Sequence, residues 1–373
     1  MMVFGTRPEA IKMAPLCHAL KESSDFQITV CVTAQHRQML DQVLKVFDVT
    51  PDIDLDLMKR EQDLFDVTSS VLLGMRDVFR QHRPDVVLVH GDTTTTLATT
   101  MAAFYAGVPV GHVEAGLRTH DFNAPFPEEF NRQVASKVTR WHFAPTSLSK
   151  QNLLAERVPS ENITITGNTV IDALFWVIDR IEANFERRSS IVSFLGERLS
   201  FNWRKTRFIL ITGHRRENFG DGFVQICEAI KELSTRYQEV HFVYPVHLNP
   251  NVQQPVWGIL EGLGNVHLVE SLDYEPFVYL LKHSHIVLTD CGGIQEEAPS
   301  FGKPVLVMRD VTERPEAIDA GTVRLVGASR ERIVRNVCEL LDNQESYRSM
   351  SEAHNPYGDG KACARICEVL RKI

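Results

Sequence analysis

Long apolar stretches and an excess of positive charge are both missing from this sequence. No apolar run approaches the roughly 20 residues that a membrane-spanning helix needs, so we expect no membrane segment. The formal net charge is −8. This charge argues against a nucleic-acid-binding protein, because such a surface is normally basic. It does not exclude a local basic pocket for a small anion.

Paired cysteines and the common nucleotide motifs are missing too. The seven cysteines are scattered, and no two form a CxxC pair. This pattern predicts neither a disulfide framework nor a zinc site and is typical of a reducing cytoplasm. The sequence has no Walker A motif, and no G-x-G-x-x-G follows the first predicted strand. ATPase and nicotinamide-dependent functions therefore lack support, and we expect no metal and no cofactor.

The sequence does contain strand-like apolar runs that alternate with helix-like stretches along its 373 residues. Several runs are apolar at consecutive positions, as expected for strands that are covered on both faces. The predicted strands include 27–32, 85–90, 108–113, 208–212, 241–245, 286–289 and 304–308. Alternation with helices predicts βαβ units and parallel sheets. The chain is too long for one ordinary core, so we expect two domains.

An internal echo supports two similar halves. A G-x-R-x-E pattern follows a predicted strand at Gly5 and again at Gly213. A longer echo relates 86–110 to 286–305, although βαβ units all resemble one another to some degree. We predict two Rossmann-like doubly wound α/β domains, 1–168 and 169–354, around a cleft, with a C-terminal helix in 355–373 that packs back on the first.

Polar residues follow several of the predicted strands. Ligands of doubly wound sheets bind beyond the carboxyl ends of the strands. Arg7, Asp92, Glu114, His214 and the 290–298 segment all lie at such ends. We therefore expect them to line the cleft.

The segment 290–298 reads D-C-G-G-I-Q-E-E-A and predicts a helix that begins at two glycines. Free N–H groups and the lack of a Cβ let a phosphate approach the backbone at Gly292 and Gly293. Glu297 lies one turn further and could accept hydrogen bonds from ribose hydroxyls. Together they suggest a nucleoside diphosphate, whereas Glu296 is expected to be solvated. The alternative is a tight strand–helix turn with no ligand.

Three basic residues could contact the same diphosphate. Arg314 precedes a proline-started helix, and its guanidinium could fork onto phosphate oxygens. Arg7 precedes Pro8, and Lys12 follows one helical turn later. Each of them, taken alone, could equally be a solvated surface residue.

Three carboxylates are candidates for acid–base chemistry. Asp92 could instead cap the helix that begins at Thr93. Glu128 could be an ordinary carboxylate in the first turn of a helix, after Pro127. Glu114 follows a buried strand and is harder to explain structurally. His214 ends a strand and could donate a proton to a phosphate, whereas His90 and His112 are expected to be core histidines.

Taken jointly and in order, these motifs resemble the non-hydrolysing UDP-N-acetylglucosamine 2-epimerases of bacteria. The resemblance covers nearly the whole chain and rests on G-T-R-P-E-A-I-K at 5–12, V-H-G-D-T at 89–93, G-H-V-E-A-G-L-R at 111–118, P-E-E at 127–129, T-G-H-R-R-E-N at 212–218 and G-G-I-Q-E-E at 292–297. The resemblance implies a fold like that of the B-type glycosyltransferases and a homodimer. It implies interconversion of UDP-N-acetylglucosamine and UDP-N-acetylmannosamine for surface polysaccharides such as enterobacterial common antigen.

By matching motif, the resemblance assigns two sets of residues. The implied catalytic set is Asp92, Glu114, Glu128 and His214. The implied substrate contacts are Arg7, Lys12, Phe277, Cys291, Gly292, Gly293, Glu297 and Arg314. Relatives carry serine where this chain has Cys291, and a thiol is the weaker hydrogen-bond donor.

Other functions fit the sequence as well. A hydrolysing epimerase or a B-type glycosyltransferase would use the same fold, and a UDP-sugar sensor would bind without turnover. Three carboxylates near a diphosphate sugar argue against a protein that binds the sugar without turnover. Some relatives are activated by their substrate, and the polar stretches 35–38 and 215–217 are candidates for such a site.

Overall fold

The computed structural model describes residues 1–34, 37–57 and 61–373. The chain divides into two compact units: unit 1 is Met1–Trp176 with Tyr357–Ile373, and unit 2 is Val177–Pro356. Each unit is built on a parallel sheet, of seven strands in unit 1 and six in unit 2, within the described residues. The predicted fold class of two Rossmann-like doubly wound α/β domains is confirmed.

Unit 1 carries the first seven strands. They are β1 Met2–Phe4, β2 Val30–Val32, β3 Ile53–Asp54, β4 Val87–His90, β5 Val110–Val113, β6 Trp141–Ala144 and β7 Ile163–Ile165. The helices among them are α1 Arg7–Lys21, α2 Arg37–Val46, α3 Leu64–His82, α4 Thr94–Ala106, α5 Glu128–Val138, α6 Ser147–Ala155 and α7 Thr169–Ala183. The sheet order is β3-β2-β1-β4-β5-β6-β7.

Unit 2 carries the remaining strands. They are β8 Phe208–Thr212, β9 His241–Val246, β10 Val266–Glu270, β11 Ile286–Thr289, β12 Val305–Val307 and β13 Val323–Leu325. The later helices are α8 Phe185–Arg198, α9 Asp221–Arg236, α10 Pro250–Leu260, α11 Tyr274–His283, α12 Gly292–Glu297, α13 Pro315–Asp319, α14 Arg330–Asp342, α15 Gln344–Ser351 and, in unit 1, α16 Ala362–Leu370. The sheet order is β10-β9-β8-β11-β12-β13.

The two strand orders correspond, with β8 in the place of β1 and β11 in the place of β4. The strand order therefore reverses between β1 and β4 in unit 1 and between β8 and β11 in unit 2. Such reversal points open the crevice in which doubly wound sheets bind ligands. The G-x-R-x-E echo falls after β1 and β8, so it reflects the same position in both sheets.

The strands form where apolar runs are covered on both faces. All four residues of β4 and of β11 are buried, and the first three of each strand are the consecutive apolar side chains that predict this. The observed strands are often shorter than predicted: β2 begins at Val30 rather than at residue 27, because its ladder with β1 begins there. In unit 2 the core lies between the sheet and helices α9, α10 and α14.

Helix α16 is anchored inside unit 1 by a buried aspartate. Both carboxylate oxygens of Asp172 on α7 accept hydrogen bonds from α16, from the N–H of Ala362 at 3.1 Å and from that of Cys363 at 2.8 Å. A negative charge at a helix N-terminus is favourable, because the first N–H groups lack partners. The division between the units falls inside α7, whereas the predicted boundary at residue 168 lies just before it.

Across residues 1–34, 37–57 and 61–373, none of the helices combines the length and the apolar character needed to cross a membrane. The cysteines are free: Cys291 and Cys338 are half-buried, and the other five are buried.

Candidate active site

In unit 1 the candidate residues gather at the carboxyl ends of β1, β4 and β5. Arg7 is the first residue of α1, directly after the turn that follows β1, and it is half-buried. Asp92 follows β4, and Glu114 follows β5. These strands are neighbours in the sheet, so the fold brings the predicted residues to one edge.

Glu114 occupies a constrained position. Its φ of 63° lies in the left-handed region, which is uncommon for residues other than glycine and costs about 1–3 kcal/mol. Its side chain is only 13% exposed and forms an ion pair with Lys12. The same carboxylate oxygen accepts a hydrogen bond from Nδ2 of Asn168 at 2.8 Å, and Nε2 of His90 lies 3.8 Å away. Strain held in this way is common at functional sites.

Asp92 does not cap a helix. Thr93 is the N-cap of α4, and its hydroxyl accepts from the N–H of Thr96 at 3.1 Å. Asp92 instead accepts a hydrogen bond from Arg132 at 2.9 Å. Burial raises its pKa, Arg132 opposes the shift, and Glu114 and Glu128 add to it. The capping alternative is therefore wrong, and Asp92 is electrostatically coupled to the other two carboxylates.

Glu128 and Glu129 begin helix α5 in different environments. Within the described part of the chain, the Oε2 atom of Glu128 is buried without a hydrogen-bond partner. Burial opposes ionisation of Glu129, but hydrogen bonds from Gln133, Thr119 and Arg132 outweigh it and lower its pKa to about 2. Glu129 is thus a structural carboxylate, whereas Glu128 retains an unsatisfied oxygen.

Glu9 and Arg132, which the sequence analysis did not single out, hold turns and side chains together at this edge. Glu9 is buried, and its Oε2 accepts hydrogen bonds from the N–H groups of Gly5 and Thr6 at 3.0 and 2.8 Å. Its Oε1 accepts from the hydroxyl of Thr93 at 2.6 Å, so Glu9 joins the turn after β1 to the turn after β4. Arg132 is buried between Glu129 and Asp92. The T-x-x-E capping box formed by Thr6 and Glu9 is the local sequence signal at this position, but it does not reveal the contact with Thr93.

In unit 2 the corresponding edge carries His214. Asp290 is completely buried and accepts hydrogen bonds from the N–H groups of His214 and Arg215 at 3.0 and 2.9 Å. Burial lowers the pKa of His214, although Asp290 opposes the shift. The ring of His214 stacks on that of His247 at 5.3 Å. Asp290 therefore fixes the turn that presents His214 after β8.

The two-glycine segment forms the helix that the sequence predicts. Helix α12 begins at Gly292, with Cys291 as its N-cap. A Cβ on Gly292 would lie 2.9 Å from Nη1 of Arg314, so a larger residue there would displace the Arg314 guanidinium. Gly293 faces Glu297, whose Oε1 would lie 3.8 Å from an added Cβ. Burial raises the pKa of the Cys291 thiol.

Arg314 and Phe277 complete the predicted set in unit 2. Arg314 directly precedes α13, as predicted, and its Nε donates to Glu296 at 2.7 Å. Glu296 is 4% exposed, so the expectation that it is solvated is wrong. The sequence pattern placed Glu296 on the outer side of α12, but a long-range ion pair with Arg314 stabilises it inside. Phe277 is half-buried in the first turn of α11.

Metal ligands and a second ligand site concern other parts of the chain. Among the described residues no group of three or more histidine, cysteine, aspartate or glutamate side chains could hold a metal ion. The stretch 35–38 begins with Gln35 and His36, which lie outside the described residues.

The fold and the grouping of carboxylates define a class. Two parallel-sheet α/β domains, each with polar residues at its strand-order reversal, place the chain among two-domain Rossmann-like proteins of the B-type glycosyltransferase kind. The family described as UDP-N-acetylglucosamine 2-epimerase matches residues 18–371. The chain belongs to that family, and the predicted enzyme class, an epimerase, is confirmed.

Individual relatives agree with the family match. The chain is 56% identical over 371 residues to the UDP-N-acetylglucosamine 2-epimerase of Yersinia pestis, with 100% of this chain and 98% of that protein covered. The enzyme of the same name from Escherichia coli strain K12 gives the same identity and coverage. A crystal structure of the Neisseria meningitidis UDP-GlcNAc 2-epimerase bound to UDP-GlcNAc is 49% identical, with a TM-score of 0.90 and coverage of 100% and 99%.

Proposed function

We propose that this protein interconverts UDP-N-acetylglucosamine and UDP-N-acetylmannosamine by inverting C2 of the sugar. The observation that carries the proposal is the coupled set of Asp92, Glu114 and Glu128 at one sheet edge, with the pKa of Asp92 raised by burial and by the other two carboxylates. Inversion needs one group to remove a proton and another to return one on the opposite face. Crowded, half-buried carboxylates are suited to this, because at least one can hold a proton near neutral pH.

The chemistry follows from the weak acidity of the C2 hydrogen. Neither C1 nor C3 is a carbonyl carbon, so the C2 proton becomes acidic only as the C1–O bond to UDP breaks. A carboxylate takes the C2 proton, the C–H electrons form the C1=C2 double bond, and UDP leaves with the C1–O pair. This gives a 2-acetamidoglucal. A proton then adds to the opposite face of C2, and a diphosphate oxygen bonds to C1. Acid–base groups contribute about 10²- to 10⁴-fold each to such steps.

The unit 2 residues fit the departing nucleotide. Glycines at the start of α12 allow close approach to backbone N–H groups, and Arg314 lies directly beside Gly292. We propose that these groups and Arg7 bind the diphosphate, that Glu297 accepts from ribose hydroxyls and that Phe277 packs against the nucleoside. His214, held by Asp290, would donate to the leaving phosphate. Lys12 and Cys291 complete the proposed contacts. A thiol weakens the side-chain contact at 291 but leaves the backbone contacts intact.

The deciding experiment is incubation with UDP-N-acetylglucosamine in deuterium oxide. Epimerisation gives two UDP-sugars with deuterium at C2, observed by NMR. Free N-acetylmannosamine would instead indicate the hydrolysing enzyme, and transfer to an added acceptor would indicate a glycosyltransferase. Unchanged, undeuterated substrate that nevertheless binds would indicate a sensor and would contradict the proposal.

The assembly, the location and the use of the product also follow from the family resemblance. We propose a homodimer, a cytoplasmic location and delivery of the product to surface polysaccharides such as enterobacterial common antigen. Phe104 and Tyr105, near the end of α4, expose 61% and 73% of their surface, and their rings lie 6.1 Å apart. Exposed aromatic pairs are enriched at protein interfaces, which supports α4 as part of the dimer contact.

A further inference from the structure

Asn168 lies where two distant chain segments cross inside unit 1. The chain leaves unit 1 after Trp176 and re-enters it at Tyr357. The N–H of Asn168 donates to the carbonyl of Tyr357 at 2.7 Å. Next to it, a Cβ on Gly358 would lie 3.4 Å from Cα of Gly167, and both glycines have positive φ. Asn168 therefore belongs to the crossing of the two connections between the units.

The side chain of Asn168 leads from this crossing to the catalytic edge. Its Oδ1 accepts from the N–H of Val170 at 3.0 Å, and its Nδ2 donates to Oε2 of Glu114 at 2.8 Å. The first bond fixes the orientation of the amide, because a backbone N–H can only donate. The NH₂ group must then face the carboxylate. With 3% exposure, Asn168 forms these bonds away from solvent, where a hydrogen bond to a charged group is strongest.

Glu114 needs such support. Its backbone is in the left-handed region, and the charge that pairs with it comes from Lys12, a long side chain on another element. Other titratable groups that act on it include His90 at the end of β4, Asp92 after β4 and His112 on β5. The amide of Asn168 is a short neutral donor, so it can fix the direction of the carboxylate without adding charge.

We propose that Asn168 is a positioning residue for Glu114, which ties the orientation of this carboxylate to the two chain connections between the units. For its catalytic consequence, this inference rests on the proposed function. The prediction is that the hydrogen bond from the Asn168 amide keeps Glu114 ionised and correctly aimed.

Two substitutions of Asn168 distinguish a role in positioning Glu114 from a role in stabilising the fold. Asn168→Asp keeps an oxygen for Val170 but replaces the donor with a second carboxylate. Asn168→Ser also keeps a capping oxygen, because serine caps helices well, and it removes the amide NH₂ donor without adding charge. The serine hydroxyl ends one bond short of the position of the amide nitrogen. Asn184→Asp is the matched control, since Asn184 caps α8 through the N–H of Arg187 on an exposed surface.

We expect Asn168→Ser to lower kcat about tenfold and Asn168→Asp to lower it further, because a hydrogen bond to a charged group is lost and a like charge is then added. The dissociation constant for UDP should stay within about twofold. The acid limb of the kcat profile should move up by about one pH unit, because Glu114 then binds its proton more tightly. Asn184→Asp should match the wild type in all three measurements.

Failure of this inference can be distinguished from failure of the proposed function. If the wild type epimerises its substrate and both Asn168 variants keep the wild-type kcat and pH profile, the inference is wrong. It is also wrong if kcat, UDP binding and the melting temperature fall together, as they would for a purely structural residue.

If the wild type shows no turnover, the proposed function fails. The inference about Asn168 is then tested by ¹³C NMR titration of glutamate carboxyls in the ligand-free protein. The Glu114 resonance, assigned with Glu114→Gln, should titrate at higher pH in Asn168→Ser than in the wild type. An unchanged titration would overturn the inference.

Discussion

Glu128 and Glu129 are neighbours on α5, and replacing each with glutamine should separate activity from stability. Glu129 is completely buried and accepts hydrogen bonds from the N–H groups of Thr119 and His120, both at 3.0 Å. It also pairs with Arg132. A glutamine NH₂ group cannot accept any of these bonds. Glu129→Gln should therefore destabilise the fold, whereas Glu128→Gln should spare it.

The size of the effect follows from the pKa of Glu129, which falls from 4.5 to about 2 on folding. At about 1.36 kcal/mol per pH unit, this depression corresponds to about 3 kcal/mol of stability at pH 7. Because the folded pKa is the lower one, the contribution is fully present above pH 4.5 and is lost as the pH falls towards 2. At pH 3 about 1 kcal/mol should remain.

Urea unfolding of the two variants and the wild type measures this directly. We expect Glu129→Gln to lose about 3 kcal/mol at pH 7 and about 1 kcal/mol at pH 3, and Glu128→Gln to lose less than about 1 kcal/mol at either pH. Equal losses for the two variants, or the same loss for Glu129→Gln at both pH values, would refute the reasoning.

Three further predictions concern the site and the assembly. Asp92→Asn, Glu114→Gln and Glu128→Gln should each lower turnover at least about 100-fold yet still bind UDP in calorimetry; loss of UDP binding in all three would contradict their catalytic role. Cys291→Ser should change UDP affinity less than about threefold, because backbone groups carry the contact; a larger change in equilibrium binding would show that the side chain takes part. Tyr105→Asp should shift the sedimentation coefficient towards that of a monomer, and an unchanged value would place the interface elsewhere.

Local pattern was enough to predict much of this molecule. The helix at Gly292, the helix after Arg314 and the position of Asp92 beyond a buried strand all depend on neighbours in sequence. Parallel strands and glycine turns leave a clear signature, because their backbone requirements are local.

Long-range contacts explain what the sequence could not show. Arg132 lies 40 residues from Asp92, and Glu9 lies 84 residues from Thr93. The burial of Glu296 likewise depends on an arginine from a distant loop. Each of these side chains looks like an ordinary surface charge until the fold supplies its partner.

The matching strand orders of the two units bear on how such a chain could arise and be redesigned. Asp290 follows β11 directly, and both of its carboxylate oxygens accept hydrogen bonds from the loop after β8. After β4 Gly91 intervenes, and Asp92 keeps 29% of its side chain exposed beside a guanidinium. A single-residue offset at equivalent places thus separates an acid that holds a loop from one to which the proposed function gives a role in proton transfer. Two domains with the same strand order can therefore carry different side-chain chemistry at matching strand ends while the order of the sheet stays the same.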